Sequence, residues 1–162
     1  MKYYAVVAIT LAISVSSCKK KDQDQEQNQQ QVEVTDNSAK NEQEIKDYLE
    51  KNHLTAEKTD SGLYYIITEE GKGAQPTADS NVTVAYKGYF TNGTVFDQSG
   101  AEGISFGLNQ VIRGWTEGIP KFKAGGKGVL LIPSNIGYGD NSTGPIPGGS
   151  VLLFDIDLIS VQ

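Results

Sequence analysis

Phe90-Thr91-Asn92-Gly93-Thr94-Val95-Phe96 sets an Asn-Gly pair between two β-forming ends. Asn and Gly tolerate positive φ better than other residues, so the pair predicts a type I′ hairpin with a strand on each side. Upstream, Val82, Val84 and Tyr86 alternate with Thr83, Ala85 and Lys87, the period of a half-buried strand. Residues 63–68 form an earlier strand, since Tyr64, Tyr65, Ile66 and Ile67 all favour β structure. Downstream, Ile104 and Phe106 mark another strand, and residues 128–133 hold the run Val129-Leu130-Leu131-Ile132. Residues 150–161 close the series, with Asp155 and Asp157 on one face and Phe154, Ile156 and Leu158 on the other. A single helix is expected in this part, over residues 113–122, with Trp115, Ile119 and Phe122 on one stripe. Pro120 inside it removes a backbone donor and makes that helix short or distorted. Antiparallel strands with one helix to cover a face give an α+β domain.

The surrounding chain is made of different material. All 18 glycines and all five prolines lie at or beyond Gly62, and only Tyr3, Tyr4 and Tyr48 of the aromatic residues precede it. The core therefore belongs to residues 62–162, too little for a large multidomain enzyme. Residues 1–17 carry Lys2, an apolar run and then Ser16-Ser17, the pattern of a secretory leader. A membrane span needs roughly 20 apolar residues, and Lys19-Lys20-Lys21 closes this run too early. Val15-Ser16-Ser17-Cys18 resembles a bacterial lipobox, which predicts acylation of Cys18 and attachment to a lipid bilayer in the cell envelope. The charged run after Cys18 points to the outer membrane. Residues 18–40 are polar and Gln-rich, a composition that predicts a disordered tether. Residues 41–61 hold a short helix and connector: Ile45, Tyr48 and Leu49 share a face over about residues 43–52. That helix is too short for a stable coiled-coil arm, and a monomer is expected.

Charge and residue types exclude several chemistries. The chain carries 14 basic and 20 acidic residues, net -6, a poor footprint for nucleic acid. One cysteine and one histidine, Cys18 and His53, leave neither an internal disulfide nor a zinc site of Cys or His clusters. His53 lies at the end of the predicted helix and reads as a solvent-facing cap residue. No nucleophile motif and no phosphate loop is present; Gly137-x-Gly139 is not completed, because Ser142 takes the third glycine position. What remains is an excess of aromatics near glycine turns, either plain core or the lining of an apolar pocket.

Six ordered motifs decide between those two. They are Val84-Ala85-Tyr86-Lys87-Gly88, Asn92-Gly93-Thr94-Val95-Phe96-Asp97-Gln98-Ser99, and Leu108-Asn109-Gln110-Val111-Ile112-Arg113-Gly114-Trp115-Thr116-Glu117-Gly118. Ile132-Pro133-Ser134, Tyr138-Gly139 with the later Pro147, and Leu153-Phe154-Asp155-Ile156-Asp157-Leu158 follow. Together they resemble the FKBP-type peptidyl-prolyl cis-trans isomerases over nearly all of residues 62–162. The resemblance implies a curved antiparallel sheet wrapped around a short helix, with the pocket between them. It implies an enzyme acting on proline-containing polypeptides without cofactor or metal, and a pocket that macrolide ligands can enter. Trp115 would form the floor, and Phe96, Val111, Ile112 and Phe154 the walls. Tyr86, Asp97 and Tyr138 would be the polar catalytic group, with Tyr86 donating to Asp97. The Tyr138 hydroxyl and the Ile112 backbone N–H would hold substrate carbonyls, and Ile146 would close the rim. Ile104 stands where many relatives carry an aromatic, a departure that bears on substrate preference. The alternative on the same fold is a peptide-binding chaperone module of the envelope without catalysis.

Overall fold

The computed structural model describes residues 37–162; the leader, Cys18 and most of the tether lie outside the described residues. The elements are α1 (Ser38–Lys51), β1 (Glu57–Lys58), β2 (Tyr64–Glu69), β3 (Asn81–Tyr89), β4 (Val95–Gln98), β5 (Ile104–Gly107), α2 (Arg113–Gly118), β6 (Gly126–Ile132) and β7 (Leu152–Val161). All seven strands join one antiparallel sheet in the order β1-β2-β6-β7-β3-β4. The outer edge of β3 is shared: Lys87–Tyr89 pair with β4, and Asn81–Val84 pair with β5. Register slips at Ile67/Glu69, Thr83/Val84 and Gly88/Tyr89 are bulges, which raise local twist and curl the sheet.

Side-chain alternation sends successive residues of the central strands to opposite faces. Leu130, Ile132, Leu152, Phe154, Ile156 and Leu158 face one side, with Trp115 and Ile119 of the α2 segment. Leu131 and Leu153 face the other, where they meet Ile45 and Leu49 of α1. Both faces are covered there, which is why Val129–Ile132 reads as an unbroken apolar run rather than an alternation. Among the described residues no helix is long and apolar enough to cross a membrane.

Three expectations need correction. The helix α1 starts at Ser38, so residues 38–40, read as tether, form its first turn. That turn is anchored by Asn41, a fully buried polar residue, which apolar periodicity does not register. Glu42 adds two exposed ion pairs, to Lys46 at 2.7 Å and Lys58 at 2.9 Å. The hydrogen bond from Lys46, then that from Lys58, holds the Glu42 carboxyl down at about 2. Its contribution is thus present above the ordinary 4.5 and lost as pH falls toward 2. Second, only the range 113–122 needs correction for α2: the helix is short, as Pro120 led one to expect, ending at Gly118, and Ile119–Lys121 continue as a 3-10 turn built on Pro120.

Third, the hairpin forms but its turn is not type I′. Gly93 has φ +86, whereas Asn92 stays in the negative region, and type I′ needs both positive. The Gly93 N–H donates to Phe90 O (2.8 Å), Phe90 N–H donates to Thr94 O (3.0 Å), and Asn92 Oδ1 accepts from Thr94 N–H (2.9 Å). The asparagine side chain thus serves as turn acceptor and only the glycine turns left-handed. A Cβ on Gly93 meets nothing within 4 Å. Gly93→Ala is therefore expected to cost about 1–2 kcal/mol through backbone conformation alone, read as a lower urea midpoint with unchanged slope.

His53 is exposed, as expected, and adopts φ 55 just past the end of α1. Leu54 N–H reaches Leu49 O (2.9 Å) and His53 N–H reaches Glu50 O (3.1 Å), a Schellman termination.

Candidate active site

Trp115 sits in α2 with 5% of its surface exposed and touches three rings. Tyr86 and Phe154 meet it edge-on at 5.1 Å, with interplanar angles of 85° and 86°, and Phe106 lies at 5.3 Å. Phe154 in turn meets Phe96 at 5.5 Å, and Phe96 meets Phe90 at 4.9 Å. Edge-to-face packing matches the electropositive rim of one ring to the face of another and fixes each ring in place. Gly88 is part of that arrangement. A Cβ there would come within 2.7 Å of the Phe96 ring and 2.8 Å of Phe154, so only glycine lets the two rings close over β3.

Above this floor is an open hollow of about 480 Å³. Its lining includes Tyr86, Asp97, Ile104, Val111, Ile112, Trp115, Tyr138 and Phe154, all singled out from the sequence. The protein's own side chains do not fill it. Phe96 stands one layer back, buttressing Phe154. Ile146 also lies away from the lining; it is 6% exposed and packs in the core cluster beside the Trp115 side of the sheet. Phe106 and Gln110 line the hollow and were missed as site residues. Phe106 was legible: it is two residues from Ile104 on β5, hence on the same face. Gln110 had no such signal, because it lies in a 3-10 turn, Leu108–Gln110, between strand and helix.

The polar groups are few. The Tyr86 hydroxyl donates to Asp97 Oδ2 at 2.7 Å, and Asp97 Oδ1 accepts from Gln98 N–H at 2.9 Å. Burial first, then the bond to Asp97, pushes the Tyr86 phenol up to about 12. Tyr86 therefore stays neutral below pH 10 and remains a donor. Because its folded value is raised, the stability it contributes is present below about 10 and lost as pH rises through about 12. Ser99 fixes the strand register beside it, accepting from Tyr86 N–H (2.9 Å) and donating its own N–H to Tyr86 O (3.0 Å). The Tyr138 side chain is 42% exposed at the mouth. The Trp115 indole N–H is the one buried side-chain polar atom without a hydrogen-bond partner among the described residues. No cluster of His, Cys, Asp or Glu fit to hold a metal occurs among the described residues.

The frame around this hollow, a curled antiparallel sheet against one short helix, is that of a known family. A family model described as FKBP-type peptidyl-prolyl cis-trans isomerase matches residues 72–159. The chain belongs to that family. It is 47% identical over 108 residues to the FKBP-type peptidyl-prolyl cis-trans isomerase FkpA of Buchnera aphidicola, covering 65% of this chain and 43% of that protein. It is 40% identical over 130 residues to the FkpA of Escherichia coli, covering 78% of this chain and 48% of that protein. The chain thus spans about half the length of the curated relatives it matches. The crystal structure of FkpA from Escherichia coli superposes with a TM-score of 0.69, covering 77% of this chain and 61% of that one. A peptidyl-prolyl cis-trans isomerase from Pseudomonas syringae gives a TM-score of 0.67 at 29% identity, over 77% of this chain and 96% of that one.

Proposed function

We propose that the chain accelerates cis–trans exchange of Xaa-Pro bonds in folding polypeptides of the cell envelope. One observation carries this: the open hollow whose floor is Trp115 and whose edge holds Tyr86, Asp97 and Tyr138. The barrier to peptide rotation is about 18–20 kcal/mol and comes from C–N resonance. Rotation breaks that resonance and leaves a less charge-separated amide. A dry aromatic seat disfavours the planar, polar amide more than the twisted one, so binding energy lowers the barrier without proton transfer. Rigid edge-to-face rings add shape, since a fixed cavity selects a turned conformer.

In this reading the prolyl ring rests on Trp115 between Val111, Ile112 and Phe154. The Tyr138 hydroxyl and the Ile112 N–H hold flanking substrate carbonyls, and the Asp97 carboxylate complements the dipole of the rotated carbonyl. Phe96 acts through Phe154. Ile104, exposed at the mouth, meets the residue before proline, and Ile146 acts through the core beneath the rim. No cofactor or metal takes part, the same hollow admits macrolide ligands, and the chain works as a monomer. The test is the exchange rate of a short Xaa-Pro peptide with and without the full chain. Acceleration that a competing proline-mimetic ligand suppresses supports the reading, and an unchanged rate overturns it.

The envelope assignment rests on the lipobox-like Val15-Ser16-Ser17-Cys18. Acyl chains contribute about 0.8 kcal/mol per buried methylene, so two or more on Cys18 anchor the chain to the outer membrane firmly. Cys18→Ser is expected to abolish lipid labelling and release the protein from the membrane fraction. Fractionation identical to the parent's counts against the anchor.

A further inference from the structure

Four hydrogen bonds form a closed circuit around the segment that carries Tyr138. The Asn41 Nδ2 donates to Gly149 O at 2.9 Å. Gly149 N–H donates to Gly139 O at 2.9 Å, and Gly139 N–H donates to Ser134 O at 2.8 Å. Ser134 N–H completes the circuit by donating to Asn41 Oδ1 at 2.8 Å. Tyr138 lies on the arc between Ser134 and Gly139. The Thr143–Ile146 turn, closed by Thr143 N–H to Ile146 O and the reverse, lies on the arc between Gly139 and Gly149. One carboxamide therefore ties both arcs to α1, using its donor on one and its acceptor on the other.

Asn41 and Ser134 are the two buried polar residues among those described, 0% and 2% exposed. A buried amide is costly unless both ends are paired, and here both are. An apolar residue at the same spot on α1 would leave the Ser134 N–H and the Gly149 carbonyl without this partner. Tyr138 itself projects half-exposed from its turn, and its hydroxyl has no hydrogen-bond partner among the described residues, so the turn backbone that carries the side chain is its main restraint. That backbone is what the circuit holds. Asn41 lies well outside residues 72–159, the part that matches the family model.

We propose that Asn41 is a positioning residue for isomerisation: it sets the Tyr138 hydroxyl over the hollow, and α1 is thereby a working part of the isomerase unit. This rests on the reading of Tyr138 as a group that touches substrate. Small displacements of such a group are costly, up to about 100-fold for roughly 1 Å. The test uses the full chain with Asn41→Ala, Asn41→Asp and Ile45→Val, assayed cold, where near-ultraviolet circular dichroism shows each folded. Ile45 is a buried residue of the same helix outside the circuit.

Asn41→Ala is expected to lower kcat/KM by about 5–10-fold, and Asn41→Asp, which keeps the acceptor for Ser134 but sets a second carboxyl oxygen against the Gly149 carbonyl, by at least as much. Ile45→Val, though also destabilised, keeps the parent's kcat/KM. In a Tyr138→Phe background Asn41→Ala causes no further loss, a non-additivity that a purely structural staple does not produce. Amide exchange at Gly139 and Gly149 quickens in Asn41→Ala while that at Leu130 does not. Should Asn41→Ala fail to fold, Asn41→Ser, which keeps a short hydroxyl at the site, carries the same comparison. A folded Asn41 variant with the parent's kcat/KM, or a loss that adds in full to that of Tyr138→Phe, overturns the proposal. An inactive parent instead overturns the reading of the site and this inference with it.

Discussion

Trp115→Ala is expected to lose about 3–5 kcal/mol of stability, and about fifty-fold in kcat/KM on an Xaa-Pro peptide. The stability loss follows from position. Trp115 is nearly buried and holds Tyr86, Phe106 and Phe154 by ring contacts at 5.1–5.3 Å, so truncation opens a cavity those rings cannot fill. Domains of this size have about 5–15 kcal/mol in total, so the variant keeps about 0–12 kcal/mol and is assayed in the cold. The catalytic loss follows from contact. A prolyl ring has three methylenes, each worth about 0.8 kcal/mol when removed from water, or about 2.4 kcal/mol against the floor. At about 1.4 kcal/mol per factor of ten, that is roughly fifty-fold. Trp115→Phe separates the two effects, keeping an aromatic surface and recovering most of the activity. Urea unfolding reads the first effect and peptide exchange at low temperature the second. A folded Trp115→Ala protein as fast as the parent removes the indole from the substrate site.

How much of this was legible in the residues depended on what holds each element. The strands of the sheet were legible because their alternation reflects burial on one face, as in Val82, Val84 and Tyr86 on β3. Where both faces are covered the alternation vanishes, and Leu130-Leu131 and Leu152-Leu153 told of burial but not of direction. The residues that line the hollow were legible through their motifs, since a mostly apolar pocket has little chemical signature of its own. Position within the site was a different matter. Phe96 lies behind Phe154, and Ile146 in the core, because the loop after Tyr138 folds inward through the Thr143–Ile146 turn. The first turn of α1 was illegible for a third reason: its anchor, Asn41, is held by bonds to Ser134 and Gly149, 93 and 108 residues away. Contacts so remote leave no local pattern. The turn at Asn92-Gly93 shows a fourth: the dipeptide marks the hairpin, but the bond from Thr94 N–H to the Asn92 side chain selects the turn type.

Asp97→Val is expected to lower kcat and kcat/KM together by about 10–100-fold while leaving stability almost unchanged. Asp97 is an exposed residue of β4, and valine favours a strand, so the substitution costs the fold little. Hydrogen bonds and dipole contacts of a charged group are worth about 1.5–3 kcal/mol, which sets the catalytic range. If the carboxylate complements only the rotated amide, the loss falls on the transition state and KM stays put. Asp97 also accepts from Tyr86 at 2.7 Å, so the loss could come instead through a misplaced phenol ring. Tyr86→Phe decides between these. It removes the bond but keeps the ring that packs on Trp115 and Phe154. If Asp97 serves chiefly to orient Tyr86, Tyr86→Phe is as slow as Asp97→Val and the double variant no slower. If Asp97 acts on the substrate carbonyl, Tyr86→Phe retains most of its rate while Asp97→Val does not, and that is the expected result. The ring contacts support it: Tyr86 packs edge-on against Trp115 at 5.1 Å and Phe154 at 6.2 Å, so its ring is held by packing as well as by Asp97.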